Sequence, residues 1–274
     1  MLRRALSALL LGTSLGLAAL TGPAVAQSAS VPPPDIAARS WFLFDVTTNT
    51  VLYSQTPDER VEPASLTKLM TAYVVFEALR DGTLKPDARP PVSNRAYKSA
   101  GSRMFVDPRS PATVDELLHG LIIQSGNDAA IILAEAVAGS EEQFAEQMNA
   151  EARRLGMKNS HFVNASGLPA PDHYSSARDM AVLATRIIKE FPQYYRLYSE
   201  REYTFNGVRQ PNRNRLLAID PSVDGMKTGF TDAAGYCLVA SAHREQKNAT
   251  DPQGSQFSRR ILSVLLGASS DATR

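Results

Sequence analysis

The chain has 274 residues, 43% apolar, 21% charged and 7% aromatic, enough for one generous domain or two small ones and too apolar for a disordered tail. Lys and Arg number 29 against 28 Asp and Glu, so there is no positive excess with which to neutralise phosphates, and no nucleic-acid partner is expected. A single cysteine, Cys237, excludes an internal disulfide, a thiol redox pair and a Cys-rich zinc site, and four histidines without HExxH point away from a metalloprotease, so neither a metal nor a cofactor is expected.

Arg3 and Arg4 precede an uncharged stretch from Ala5 to Leu20, and Ala24-Val25-Ala26 supplies a small-x-small cleavage pattern. Residues 1–26 therefore read as a secretory signal peptide, since sixteen residues diluted by Gly12, Thr13, Ser14 and Gly16 fall short of a bilayer span of about 20. Taking Arg3 and Arg4 from 29 basic residues leaves 27 against 28 acidic ones, a mature chain near neutrality. Residues 27–34, QSASVPPP, read as a linker, and 35–274 as one domain.

Residues 40–55 place two runs rich in aromatic and β-branched residues around Thr47-Thr48-Asn49-Thr50, which predicts a β-hairpin. From Ser65 to Leu79 apolar residues recur at helical spacing, with Gly82 where a helix would stop. Val114 to Ile123 and Asp128 to Ala138 are two helix candidates around Ser125-Gly126-Asn127. Ser140 opens another that ends near Gly156, and Ser176 opens one stopped by Pro192. Strands return at Ser222 to Phe230, Tyr236 to His243 and Arg260 to Gly267, the last two joined by the polar stretch from Glu245 to Ser258. Strands at both ends and helices between predict an α+β fold: an antiparallel sheet built from both termini with an inserted helical block, and a cleft where the two meet.

Three short motifs fall on these elements. In Ser65-Leu66-Thr67-Lys68, a lysine three residues after a serine lies on the same helical face, so an amine with a lowered pKa can take the hydroxyl proton as the serine attacks. Taken alone it reads better as an ordinary N-cap serine and a solvated first-turn lysine, because SxxK is expected about once by chance in a chain this long. Ser125-Gly126-Asn127 offers a relay hydroxyl, a sharp turn and an amide that can hold a substrate carbonyl or orient Lys68, though alone it is an interhelical turn. Lys227-Thr228-Gly229 ends a strand that can pair with an extended peptide, Lys227 and Thr228 meeting an anionic end and Gly229 removing obstruction. The backbone N–H groups of Ser65 and Phe230 are candidates for an oxyanion hole.

SxxK, SxN and KTG in that order form the set used by class A β-lactamases and penicillin-binding proteins. With the longer stretches PASLTKLMTAY, IIQSGNDAA, NRNRLL and VDGMKTGFTDAAGYCLVASA, the chain from about Asp35 to Arg274 resembles the low-molecular-mass penicillin-binding proteins of the D-alanyl-D-alanine carboxypeptidase family. The resemblance implies a β-lactamase/transpeptidase-like fold, with Ser65 the acyl-ester nucleophile, Lys68 the general base, and Ser125 completing the proton relay. Asn127, Lys227, Thr228 and Gly229 would bind substrate, with Arg213 of NRNRLL and Arg274 as further substrate-binding positions. It implies removal of the terminal D-Ala from peptidoglycan stem pentapeptides, covalent inhibition by β-lactams and a periplasmic location. Two departures stand out. Many relatives carry His or Thr where this chain has Phe230, and relatives continue past Arg274 with a closing helix, a small β-rich domain and an amphipathic anchor. Membrane association is thus expected only through a C-terminal segment absent here, and Arg274 would be poorly placed if the terminus frays.

Three rival readings share these motifs. A class A β-lactamase needs an ExxLN element, which is absent, and no glutamate lies between Glu151 and Glu190. A D,D-endopeptidase acting on cross-links uses the same core motifs. A non-catalytic β-lactam or peptidoglycan sensor is disfavoured by the intact Ser65, Lys68 and Lys227.

Overall fold

The computed structural model describes residues 32–33, 35–247 and 256–274. The predicted signal peptide, most of the linker and the middle of the Glu245–Ser258 connection lie outside the described residues. Within Asp35–Arg274, which form one unit, the elements in chain order are β1 (Ala38–Asp45), β2 (Thr50–Gln55), α1 (Thr67–Arg80), α2 (Asn94–Tyr97), α3 (Val114–His119), α4 (Asn127–Ala138), α5 (Glu141–Leu155), α6 (Ala177–Glu190), α7 (Pro192–Tyr195), β3 (Glu202–Phe205), β4 (Val208–Pro211), α8 (Leu216–Ile219), β5 (Val223–Thr231), β6 (Gly235–Lys247) and β7 (Gln256–Ala268).

The main sheet has the order β2-β1-β7-β6-β5, and every neighbouring pair is antiparallel. Strand β1 enters beside β7, with Trp41 opposite Leu265 and Leu43 opposite Ser263, so the two ends of the domain close one sheet as the sequence predicts. The alternation along β7 buries Leu262, Val264 and Leu266 completely against the helical block, as a one-sided core requires. Helix α1 runs through that core. Leu69, Met70, Tyr73, Val75 and Phe76 are all fully buried, which is why its apolar positions wrap around the helix instead of forming a narrow stripe.

Local chemistry sets the helix limits. The Ser140 hydroxyl accepts the Gln143 N–H at 3.2 Å, and α5 ends at Gly156, which takes φ +78. Ser176 caps α6 through the Asp179 N–H, and Pro192, placed where its missing N–H costs nothing, opens α7. Three features differ from the sequence reading. The helix expected over Val114–Ile123 changes at Gly120 into one wider π turn through Gln124, delivering Ser125 in a left-handed conformation at φ +66. The hairpin β3–β4, turning at Asn206-Gly207, was not expected. Strands β6 and β7 also each run three residues into the stretch from Glu245 to Ser258 read as a polar connection.

Candidate active site

The first motif does not cap a helix. Ser65 sits in a single 3-10 turn, Ala64–Leu66, that feeds α1, and neither that turn nor α1 has a side-chain cap. Ala64 holds φ +47, a costly conformation for a residue with a Cβ, and is fully buried while doing so. The backbone packs around this turn at two glycines. A Cβ on Gly167 would lie 1.8 Å from the Ala64 carbonyl oxygen, and one on Gly229 would lie 3.1 Å from the Ser65 nitrogen. Strand β5 and the loop after α5 can therefore press against the Ser65 turn only because both positions lack a side chain.

Lys68 is 1% exposed and donates to three oxygens: Ser65 Oγ at 3.0 Å, Asn127 Oδ1 at 2.7 Å and the Ser166 carbonyl at 2.7 Å. The Asn127 amide is oriented by its own donation to the Ala100 carbonyl at 2.6 Å, so Oδ1 faces the lysine. A carbonyl and an amide oxygen only accept. In the neutral amine the two remaining N–H bonds therefore go to Asn127 and Ser166, and the lone pair points at the Ser65 hydroxyl. Burial pushes the Lys68 pKa down to about 7 against a smaller upward pull from Asp128.

Ser125 is 6% exposed, and its Oγ has no hydrogen-bond partner among the described residues. Lys227 is buried at 2% exposure and, among the described residues, donates only to the Thr228 carbonyl, at 3.0 Å; burial, with Lys68, Arg213 and Arg274 nearby, holds its pKa well below the usual lysine value. A cleft of about 620 Å3 is lined by Ser65, Ser102, Ser125, Thr228, Phe230 and Arg274 among others, and β5 forms one edge of the sheet along it. Arg213 lines the same cleft and reaches Ser102 Oγ at 3.3 Å. Arg274 is not frayed: its side chain is 16% exposed, pairs with Asp271 at 2.7 Å, donates to the Gly229 carbonyl at 3.1 Å and lies over the Tyr236 ring. Phe230, 49% exposed, packs at a tilt against the same Tyr236 ring, with centroids 4.5 Å apart.

All ten residues singled out by sequence thus meet in or beside one cleft, Asn127 and Lys68 just beneath it. Three contributors were missed. The Ser166 carbonyl is a backbone atom, set by Asn164 Oδ1, which accepts the Ser166 and Gly167 N–H groups, and by Thr71, which donates to the Ala165 carbonyl at 2.6 Å. His173, 4% exposed, bonds Thr67 Oγ1 at 2.8 Å and accepts the Val163 N–H, tying that loop to α1; burial keeps it neutral, with a pKa near 4. Asp128 accepts N–H groups from Met104, Phe105 and Val106, fixing the cleft's other wall. Among the described residues no His, Cys, Asp or Glu cluster could hold a metal ion. Cys237 is free and buried, with its thiol pKa raised to about 11 by desolvation.

The family model for D-alanyl-D-alanine carboxypeptidases, peptidase family S11, matches residues 26–251. The chain belongs to this family. It is 43% identical to D-alanyl-D-alanine carboxypeptidase DacC of Escherichia coli over 98% of its own length and 66% of that relative, and 39% identical to DacA of Haemophilus influenzae over 97% and 66%. The chain thus spans a little under two thirds of these relatives. Penicillin binding protein 5 from Haemophilus influenzae superposes with a TM-score of 0.80 at 41% identity, covering 89% of this chain and 69% of that one. The S11 chain has the α+β fold of the penicillin-binding proteins.

Proposed function

We propose that this S11 chain is a serine D-alanyl-D-alanine carboxypeptidase that releases the terminal D-Ala from peptidoglycan stem pentapeptides. The observation that carries the reading is the amine of Lys68. It is buried, depressed to about pH 7 and held by two pure acceptors so that its lone pair is left for Ser65.

Ser65 Oγ attacks the carbonyl of the penultimate D-Ala while its proton passes to Lys68 Nζ. The N–H groups of Ser65 and Phe230 receive the developing oxyanion, a job that depends on the close approach of β5 to the Ser65 turn that Gly229 allows. The Ser125 hydroxyl, otherwise unpartnered, relays the proton from Lys68 to the departing D-Ala nitrogen. Water then attacks the ester, gives its proton to Lys68, and Ser65 leaves as the reprotonated alcohol. Arg213 and Arg274 supply the positive charge on which the terminal carboxylate docks, Arg274 as a fork of donors, and Lys227 and Thr228 add hydrogen-bond donors beside them. β-Lactams carry a strained amide and a carboxylate in the same relation and acylate Ser65 by the first half of this sequence.

Residues 1–26 act as an export signal, 35–274 as the catalytic domain, and the enzyme works in the periplasm. No described helix is long and apolar enough to cross a membrane. Fluorescent penicillin added to the purified mature chain tests the reading: it labels the wild type and fails to label Ser65→Ala, and equal labelling of both would remove Ser65 from the mechanism.

A further inference from the structure

The segment that follows the cleft-lining Ser102 carries a feature that the proposed reaction leaves unused. In the segment after α2, Met104 and Val106 point inward, 1% and 2% exposed, while Phe105 between them is 59% exposed with φ +66. The left-handed region is sterically costly for a bulky residue, and a solvent-facing phenyl ring forgoes burial as well. The conformation is imposed by Asp128, which accepts the N–H groups of Met104, Phe105 and Val106 at 3.0, 2.8 and 3.3 Å. Asp128 directly follows Asn127, so the same helix start sets both the lysine and this ring.

Beside Phe105, the Arg103 guanidinium lies 4.9 Å from the ring centroid and donates to the Tyr97 carbonyl at 3.1 Å. It has no carboxylate partner among the described residues, whereas the neighbouring Arg109 is paired with Asp107. Tyr97 is half exposed, and Tyr97, Arg103 and Phe105 line a hollow of about 260 Å3 with Val106 and two carboxylates already engaged, Asp107 by Arg109 and Asp128 by backbone N–H groups. Ser102, the chain neighbour of Arg103, lines the main cleft and meets Arg213, another cation without a carboxylate partner among the described residues. A guanidinium without a carboxylate partner among the described residues thus stands in the cleft, at Arg213, and another on the segment that leaves it, at Arg103 beside an exposed aromatic face.

We propose that Tyr97, Arg103 and Phe105 form a second subsite for the upstream, carboxylate-bearing part of an acidic peptide whose D-Ala end occupies the catalytic cleft. Arg103 takes the peptide's side carboxylate through its fork of donors, and the methylene groups beside that carboxylate lie on Phe105 and Tyr97. The assignment rests on the carboxypeptidase reading for the identity of the peptide, but not for the existence of the site.

The two are tested apart. Binding of a stem pentapeptide containing γ-linked D-Glu is measured by calorimetry on the non-reacting Ser65→Ala chain, alone and with Arg103→Gln or Phe105→Gly added. Glycine accepts the left-handed φ, so Phe105→Gly removes the ring without straining the segment. Each added substitution should weaken binding about tenfold, the loss of one charge-assisted contact or one stacked face. The same peptide with its side carboxylates amidated should bind Arg103→Gln and its parent alike. In parallel, D-Ala release and penicillin labelling are followed with Ser65 intact. Full labelling of both single variants, with kcat/KM falling on the pentapeptide and not on a short N-acyl-D-Ala-D-Ala, supports the subsite. Unchanged pentapeptide affinity, or an equal loss on long and short substrates, overturns it. Weakened binding without any D-Ala release by the wild type would instead overturn the carboxypeptidase reading and leave the subsite standing.

Discussion

Replacing Lys68 with methionine separates the lysine's chemistry from its cost. In the native state its amine loses a proton near pH 7, whereas in the unfolded chain it keeps one to its ordinary value of 10.5. Between those values the unfolded state binds one more proton, so this lysine's burial weighs against folding most at and below pH 7, and stability rises as pH increases from about 7 to 10.5. The slope is about 1.4 kcal/mol per pH unit, which amounts to roughly 5 kcal/mol over the window. Lys68→Met removes the penalty but leaves Asn127 Oδ1 and the Ser166 carbonyl without their donor, about 1–3 kcal/mol each. Near pH 7 the two effects roughly cancel. By pH 9.5 the wild type should be the more stable by about 3 kcal/mol beyond its standing at pH 7.5. Lys227 titrates in both proteins, and above pH 7 a neutral Lys68 no longer acts on it. The assay is urea unfolding at several pH values beside acylation by penicillin, which the variant should lose almost entirely. Parallel stability curves for the two proteins would mean that Lys68 stays charged when folded and does not serve as a neutral base.

The rate of Ser65 acylation should rise with pH through about 7 and level off above it, as the Lys68 amine deprotonates; stopped-flow penicillin binding across that range reads the midpoint, and a flat profile contradicts the assignment. Gly167→Ala forces a Cβ into the Ala64 carbonyl from a left-handed φ, so it should lower stability by about 2 kcal/mol or more and slow acylation with it, by thermal unfolding and labelling. Arg274→Gln should cut kcat/KM on D-Ala-D-Ala substrates about tenfold and also lower the unfolding midpoint, since its mostly buried guanidinium leaves Asp271 and the Gly229 carbonyl; steady-state kinetics and thermal unfolding read the two effects. Asp128→Asn keeps the shape but turns one acceptor into a donor facing backbone N–H groups, and should cost about 1–3 kcal/mol of stability.

Much of this arrangement was legible because chain order and residue type carried it. Strand alternation in β1, β5 and β7, the capping serines 140 and 176, and the spacing of Ser65 and Lys68 each act over a few residues, the scale on which a sequence speaks. Asn206-Gly207 between alternating residues is a hairpin signal of the same local kind, and β3–β4 could have been read from it. The π turn before Ser125 and the left-handed Ala64 are different, since packing imposes them and neither residue type announces them. The Ser166 carbonyl belongs to the same class. It reaches Lys68 across 98 residues because Asn164, Thr71 and His173 shape its loop, and a backbone oxygen leaves no trace in composition.

The central claim is hydrolysis of a D-Ala-D-Ala bond through Ser65. Incubating the purified mature chain with a stem pentapeptide and following the peptide by mass spectrometry tests it most directly. The account predicts the loss of one alanine from the pentapeptide by the wild type and none by Ser65→Ala. A pentapeptide that survives intact, or one trimmed equally by both proteins, would contradict it.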